Sequence, residues 1–168
     1  FVMLTNGHSD PGTQMTSSMC LINTQPVYGI QVDFVPNPPF LTGSGMQTTD
    51  LIDFSTWSVS SQHIGNTFTL LLFDNTLSNP IPPGYWYLGE VLLDILPGAP
   101  DPYTVDMGYG EMIISDSYNN PMVAAGLESE VYIGQPPVSY SIHNIMGELV
   151  SGGGDFGGPY TVADGRRD

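Results

Sequence analysis

The chain has no lysine, and its only arginines, Arg166 and Arg167, stand at its far end against seventeen Asp and Glu and a formal net charge of −15. That absence excludes whole classes of function. Gripping nucleic acid, nucleotide phosphates or an anionic membrane takes Lys or Arg to neutralise phosphate charge, and residues 1–165 offer neither. Schiff-base and pyridoxal chemistry need a lysine amine, and a P-loop needs its Lys on the terminal phosphates. Cysteine is nearly absent too. Cys20 alone cannot close an intramolecular disulfide, and in the run Met15-Thr16-Ser17-Ser18-Met19-Cys20-Leu21-Ile22 it reads as a buried strand thiol. No apolar run reaches the length of a membrane span, and Phe1-Val2-Met3-Leu4 is too short for a signal-peptide core. With no initiator Met in front of it, the chain reads as mature and processed.

Charge of either sign is sparse, at 11% of residues, so the polar surface is built mainly from Ser, Thr, Asn and Gln. Carboxylates without counter-ions repel one another unless they are spread apart, screened by salt or bridged by a divalent cation. The length and the 40% hydrophobic content suffice for one domain with a real core. Fifteen prolines and twenty glycines leave little room for helix, at most a turn near residues 48–54 with Asp50 as its cap.

Period-two alternation recurs in short runs bounded by Gly, Pro, Asn or Asp, which is the pattern of strands in a sandwich or barrel. Val27-Tyr28-Gly29-Ile30-Gln31-Val32-Asp33-Phe34 puts Tyr28, Ile30, Val32 and Phe34 on one face and polar or small residues on the other. Residues 67–73 and 88–95 read as deeply buried strands, and 103–107, 111–115 and 128–133 as shorter ones. Thr42-Gly43-Ser44-Gly45 reads as a loop. The expected organisation is an all-β jelly-roll sandwich of about nine strands over 7–134, an N-terminal arm over 1–6, and a Pro/Gly-rich extension over 135–168 holding one strand-like segment.

The order of several pieces resembles the cohesin family of extracellular jelly-roll modules, which are related to carbohydrate-binding sandwiches. Asp10-Pro11-Gly12-Thr13 precedes the first long strand, and Cys20-Leu21-Ile22-Asn23 leads through a short turn into Val27-Tyr28-Gly29-Ile30-Gln31-Val32-Asp33. Residues 69–73 and 89–95 follow. Then Ile114-Ser115-Asp116-Ser117-Tyr118-Asn119-Asn120-Pro121 and Val131-Tyr132-Ile133-Gly134 match the family's closing region. The likeness spans about four-fifths of the chain. Asn119-Asn120 departs from it where a Gly is common, residues 36–45 are unusually Pro-rich, and no dockerin-like duplicated calcium loop follows. The resemblance implies a non-catalytic recognition or scaffold role with a dockerin-like protein or a polysaccharide as partner, and it names no contact residues.

Catalytic constellations are scarce. His8, His63 and His143 lie far apart with no H-E-x-x-H and no Cys partner, and G-x-S-x-G is absent. Asp155-Phe156-Gly157 spells a kinase tripeptide without any of the loops that give it meaning. Glu90 with Asp94, and Glu128 with Glu130, are same-face acids that read as solvated strand faces. The chain is therefore not expected to be an enzyme.

Calcium is the more plausible chemistry, because hard cations take several oxygen ligands from carboxylates, amides and loop carbonyls. Asp116, Asn119 and Asn120 supply them on one turn and Asp74, with Asn75 and Thr76, on another; the same residue types also simply make turns. Tyr85-Trp86-Tyr87 after Pro82-Pro83-Gly84 reads either as a platform for a sugar or protein partner or as the start of a core strand.

An exposed sheet edge can accept an extended segment from a neighbour, with affinity from backbone hydrogen bonds. Both ends of this chain offer such a segment: Phe1, Val2, Met3 and Leu4 before Asn6-Gly7, and Tyr140, Ile142 and Ile145 after the Pro136-Pro137 spacer. Head-to-tail insertion of that kind builds open fibres when the rotation does not close. The leading expectation is thus an extracellular or cell-surface structural subunit, joined to copies of itself by strand exchange. The alternative is a cohesin-type receptor for a separate extracellular protein. Neither reading involves nucleic acid or membrane insertion.

Overall fold

A computed structural model describes residues 1–134, 139–143 and 149–154. The chain divides into two compact units, Phe1–Gln135 and Pro136–Asp168. The first unit holds β1 (Val2–Leu4), β2 (Gly7–Ser9), β3 (Gln14–Asn23), β4 (Gly29–Asn37), β5 (Leu41–Thr48) and β6 (Trp57–Ile64). It continues through β7 (Thr67–Asp74), β8 (Gly84–Ile95), β9 (Tyr103–Ser115), β10 (Pro121–Met122), β11 (Gly126–Leu127) and β12 (Ser129–Ile133). There is no helix among the described residues. Counting the broken first strand as one and setting aside the two-residue β10 and β11 leaves the nine strands of the expected jelly roll.

The strands form two sheets. The first has the order β11-β1-β3-β8-β5; the second has β2-β12-β9-β4-β7-β6, with β10 added to β9. Alternation explains the core between them. Ile30, Val32 and Phe34 of β4 and Phe68, Leu70 and Leu72 of β7 point inward from the second sheet. Met19 and Leu21 of β3 and Leu88, Val91 and Leu93 of β8 do so from the first. Phe34 and Phe68 stack with ring centroids 6.2 Å apart.

Two strands escaped the sequence reading for opposite reasons. The stretch read as a loop is the middle of β5, where a Cβ on Gly43 would run into the Phe68 ring and Ser44 falls out of register with β8. Its glycines make room for the core; they do not break the strand. Strand β6 is the edge of the second sheet, with Trp57 buried and the next seven residues half-buried or exposed, so it shows no alternation. The turn of helix allowed near residues 48–54 is instead a pair of side-chain-closed bends. Leu51 N–H donates to the Thr49 hydroxyl (3.1 Å) and Ser55 N–H to the Asp53 carboxylate (2.9 Å), which competes with helical bonding.

The detached N-terminal arm is also corrected. Strand β1 lies inside the first sheet, antiparallel to β3 on one side and parallel to β11 on the other. Val2 and Leu4 are buried in the core, and Val2 N–H donates to Ala125 O at 2.9 Å. The slot satisfies the backbone on both sides and hides the apolar face of an alternating segment, so a strand is stable there. Beyond Asn6 the chain crosses to the second sheet, where β2 pairs in parallel with β12. Val2→Ala is expected to lower stability by about 2 kcal/mol, the transfer and cavity cost of two buried methyls, read by thermal unfolding.

In the second unit β13 (Ser139–His143) and β14 (Leu149–Gly154) form an antiparallel pair, with Tyr140 opposite Gly153 and Ile142 opposite Ser151. The strand-like segment expected here exists, and its partner is a strand of its own unit. Ile145 lies outside the described residues.

Candidate interaction surface

The outer face of the first sheet gathers residues that the sequence had placed in two separate roles. Register sets Leu127, Met3, Cys20 and Tyr87 side by side across β11, β1, β3 and β8. Two residues along the strands, Ile22 and Tyr85 are cross-strand partners on the same face, and Phe1 O accepts from Ile22 N–H. Tyr85 and Tyr87 thus face outward beside Phe1 and Met3. Trp86 faces the core, with its indole N–H donating to Pro82 O (2.7 Å), so the expected aromatic triplet is split by the pleat. Tyr87 donates to Glu90 Oε1 (2.6 Å), a bond that holds its phenol pKa up, and Ser18 donates to the same oxygen (2.9 Å). The Tyr85 phenol is raised as well, chiefly by the neighbouring Cys20 thiol.

The second sheet carries a concavity on its outer face. Tyr28, Gln31, Leu71, Phe73, Leu77 and Ile113 line an open groove of about 530 Å³. The outward alternates of β7 turn from polar Thr67 and Thr69 to apolar Leu71 and Phe73, where a one-sided amphipathic strand would stay polar, and Phe73 is 39% exposed. The continuous run Leu70-Leu71-Leu72-Phe73 was the available signal, and reading it only as deep burial hid the surface.

Both loops considered for calcium border this groove, since Asp74 and Asp116 line it with Asn119. Each carboxylate is already occupied. Asp74, 2% exposed, accepts from Asn79 N–H (2.6 Å), Thr56 and Thr76 hydroxyls (2.8 Å each) and Thr76 N–H (3.1 Å). Burial opposes its ionisation, and the bonds led by Asn79 N–H outweigh it, leaving the pKa lowered to about 2. Asp116 accepts from Tyr118 N–H (2.8 Å), Asn120 N–H (2.9 Å) and the Asn120 amide (3.1 Å), which holds its carboxyl low, while Asn119 takes a left-handed φ of 60°. Among the described residues no three His, Cys, Asp or Glu side chains come together as a cation site.

Nor does the geometry of the first unit assemble a reaction centre from the residues singled out there. His8 and His63 sit on opposite edge strands of the second sheet. Glu90 and Asp94 are four residues apart on one strand, roughly 13 Å at strand rise, beyond the separation of paired glycosidase acids. Glu130 is hydrogen bonded by the Tyr132 hydroxyl.

No protein-family model and no curated protein sequence matches the chain. Solved structures do. The sixth cohesin of scaffoldin B from Acetivibrio cellulolyticus, in complex with Cel5 dockerin, is 12% identical, with a TM-score of 0.62 over 79% of this chain and 96% of that one. A non-cellulosomal cohesin from the hyperthermophilic archaeon Archaeoglobus fulgidus is 14% identical (TM-score 0.62, 80% and 90% covered). CaCohA2 from Clostridium acetobutylicum is 17% identical (TM-score 0.61, 79% and 90%). Identities this low carry architecture alone. In fold, the body of this chain is a cohesin-like β-sandwich.

Proposed function

We propose that this chain is a non-catalytic, extracellular protein-binding module whose contact surface is the groove on the outer face of the second sheet. The observation that carries this reading is the apolar lining of that groove, Leu71, Phe73, Leu77 and Ile113, most of it mounted on paired strands. A surface held by a sheet loses little conformational freedom on binding, and aromatic side chains in such settings dominate binding energy. An acidic, lysine-free surface fits an ion-rich exterior, where salt screens carboxylates that have no internal counter-ions.

Several structures of similar fold contain a bound dockerin, so a dockerin-type domain is the first partner to test. Calorimetric titration with dockerins is expected to give saturable binding that Phe73→Asp weakens at least tenfold, by placing a charge at a desolvated contact. Binding unchanged in that variant would reject the groove as the surface.

A second reading is favoured by the course of residues 1–9, which supply a strand to each sheet in turn. A neighbouring copy could supply the same segment, making the chain a fibre or surface-scaffold subunit assembled by strand exchange. Light scattering and negative-stain microscopy of the full chain and of a deletion of residues 1–6 test it: filaments lost on deletion support exchange, and a monomer throughout rejects it. Repeating the measurement in EDTA tests whether calcium bridges carboxylates in the assembly.

A further inference from the structure

We propose that the outer face of the first sheet, centred on Ile22 and Tyr85, is a self-association surface on which a second copy of this chain docks face to face. It is distinct from the groove, which lies on the other sheet. Tyr85 is 60% exposed, Leu127 47% and Ile22 38%, and they share one face with the half-buried Met3 and Tyr87. Four strands at about 4.8 Å spacing make this an apolar area roughly 15 Å wide. Exposed apolar surface of that continuity on a β-sandwich marks a contact site.

The occupant follows from charge. The chain carries −15, with no Lys or Arg before Arg166, so most approaches of one body to another set carboxylates against carboxylates with no Lys or Arg side chain to pair them. The patch itself contributes no carboxylate, and the Phe1 ammonium lies at its rim, donating to Ile22 O (2.7 Å). The acids on the same face, Glu90 and Asp94, stand further along β8 and are hydrogen bonded within the chain, Glu90 by Tyr87 and Ser18 and Asp94 by the Gln14 amide. A cationic partner would gain little from such an area and would be drawn to the acids elsewhere. What complements it is another flat apolar face without carboxylates, and a second copy presents one under two-fold symmetry. Packed sheet faces lie about 10 Å apart, which lets Tyr85 and Ile22 of the two copies interdigitate.

This docking has a diagnostic salt dependence. Repulsion between two like-charged bodies weakens as salt rises, while apolar contact does not, so association strengthens with salt. Sedimentation velocity of the full chain from low salt to about 1 M NaCl, where the Debye length is about 3 Å, should show monomer passing to dimer. Tyr85→Glu and, separately, Tyr85→Ser should each weaken the dimer at least tenfold, and Ile64→Glu, at an exposed position on the other sheet, should leave it unchanged. Tyr85 is an exposed side chain, so a circular dichroism spectrum matching the wild type is expected for both of its variants. A monomer at every salt concentration, a dimer indifferent to both Tyr85 variants, or association that falls as salt rises would each overturn the proposal. Strand exchange is separable, because deletion of residues 1–6 abolishes it whereas Tyr85→Ser leaves it intact.

Discussion

Gly89→Ala is expected to destabilise the body by about 4 kcal/mol, roughly a 10 °C fall in melting temperature for a domain of this size. Along β8 the outward residues are Tyr85 and Tyr87 before this point and Glu90, Leu92 and Asp94 after it; the inward ones are Trp86 and Leu88, then Val91, Leu93 and Ile95. The parity changes, and only an extra residue in the strand can change it. The register with β3 records that residue: Met19 pairs with Gly89, but Cys20 pairs with Tyr87. Gly89 has a φ of 148° and is buried against β5, where a Cβ would overlap the Gln47 carbonyl and sit 2.8 Å from the Thr48 Cα. Both are backbone atoms held in a ladder, so neither can move aside cheaply. Backbone strain and overpacking each contribute about 1 to 3 kcal/mol. A melting temperature within a degree or two of wild type would show that the bulge does not need its glycine.

Asp74→Ala is expected to cost about 3 kcal/mol at neutral pH, because it strands the Asn79 and Thr76 N–H groups that the carboxylate now satisfies. The same change loosens the wall of the groove at Leu77, because the Asp74 carboxylate ties down Thr76 and Asn79 on either side of it, so partner binding should weaken along with stability. Asp74→Asn keeps the volume and removes the charge, which makes it the variant for pH dependence. The folded pKa of about 2 lies below the usual aspartate value of 3.8, so the folded state holds the proton less tightly than the unfolded one. Its stabilisation is therefore complete above about pH 4 and is lost as pH falls through the window from about 4 to 2. Protonation of the other carboxylates relieves repulsion over the same range, so the comparison is between proteins. In urea titrations stepped down from neutral pH, the stability difference between wild type and Asp74→Asn should shrink across that window. Parallel profiles would remove Asp74 from the acid response.

Composition and local pattern were enough to set the class of this protein. The absence of Lys and Arg from residues 1–165, the dense glycines and prolines, and alternation in the runs that became β3, β4, β7 and β8 leave an acidic all-β sandwich, and the order of those runs was enough to name the likeness to cohesins. These features are local or compositional, so they survive without any knowledge of neighbours. Tertiary structure decided everything that depends on which surface meets which. Alternation says that Tyr85 and Trp86 point opposite ways, but only the position of the second sheet says that Trp86 is the one inside. The alternating segment at residues 2–4 has the same pattern whether kept or donated; its place between β3 and β11 depends on Gly126 and Leu127, far along the chain. Asp74 and Asp116 had the composition of ion ligands, and the donors that occupy the buried one come from Thr56, Thr76 and Asn79. A side chain's local pattern specifies its own chemistry, whereas its role depends on the groups that folding brings within hydrogen-bonding and packing distance.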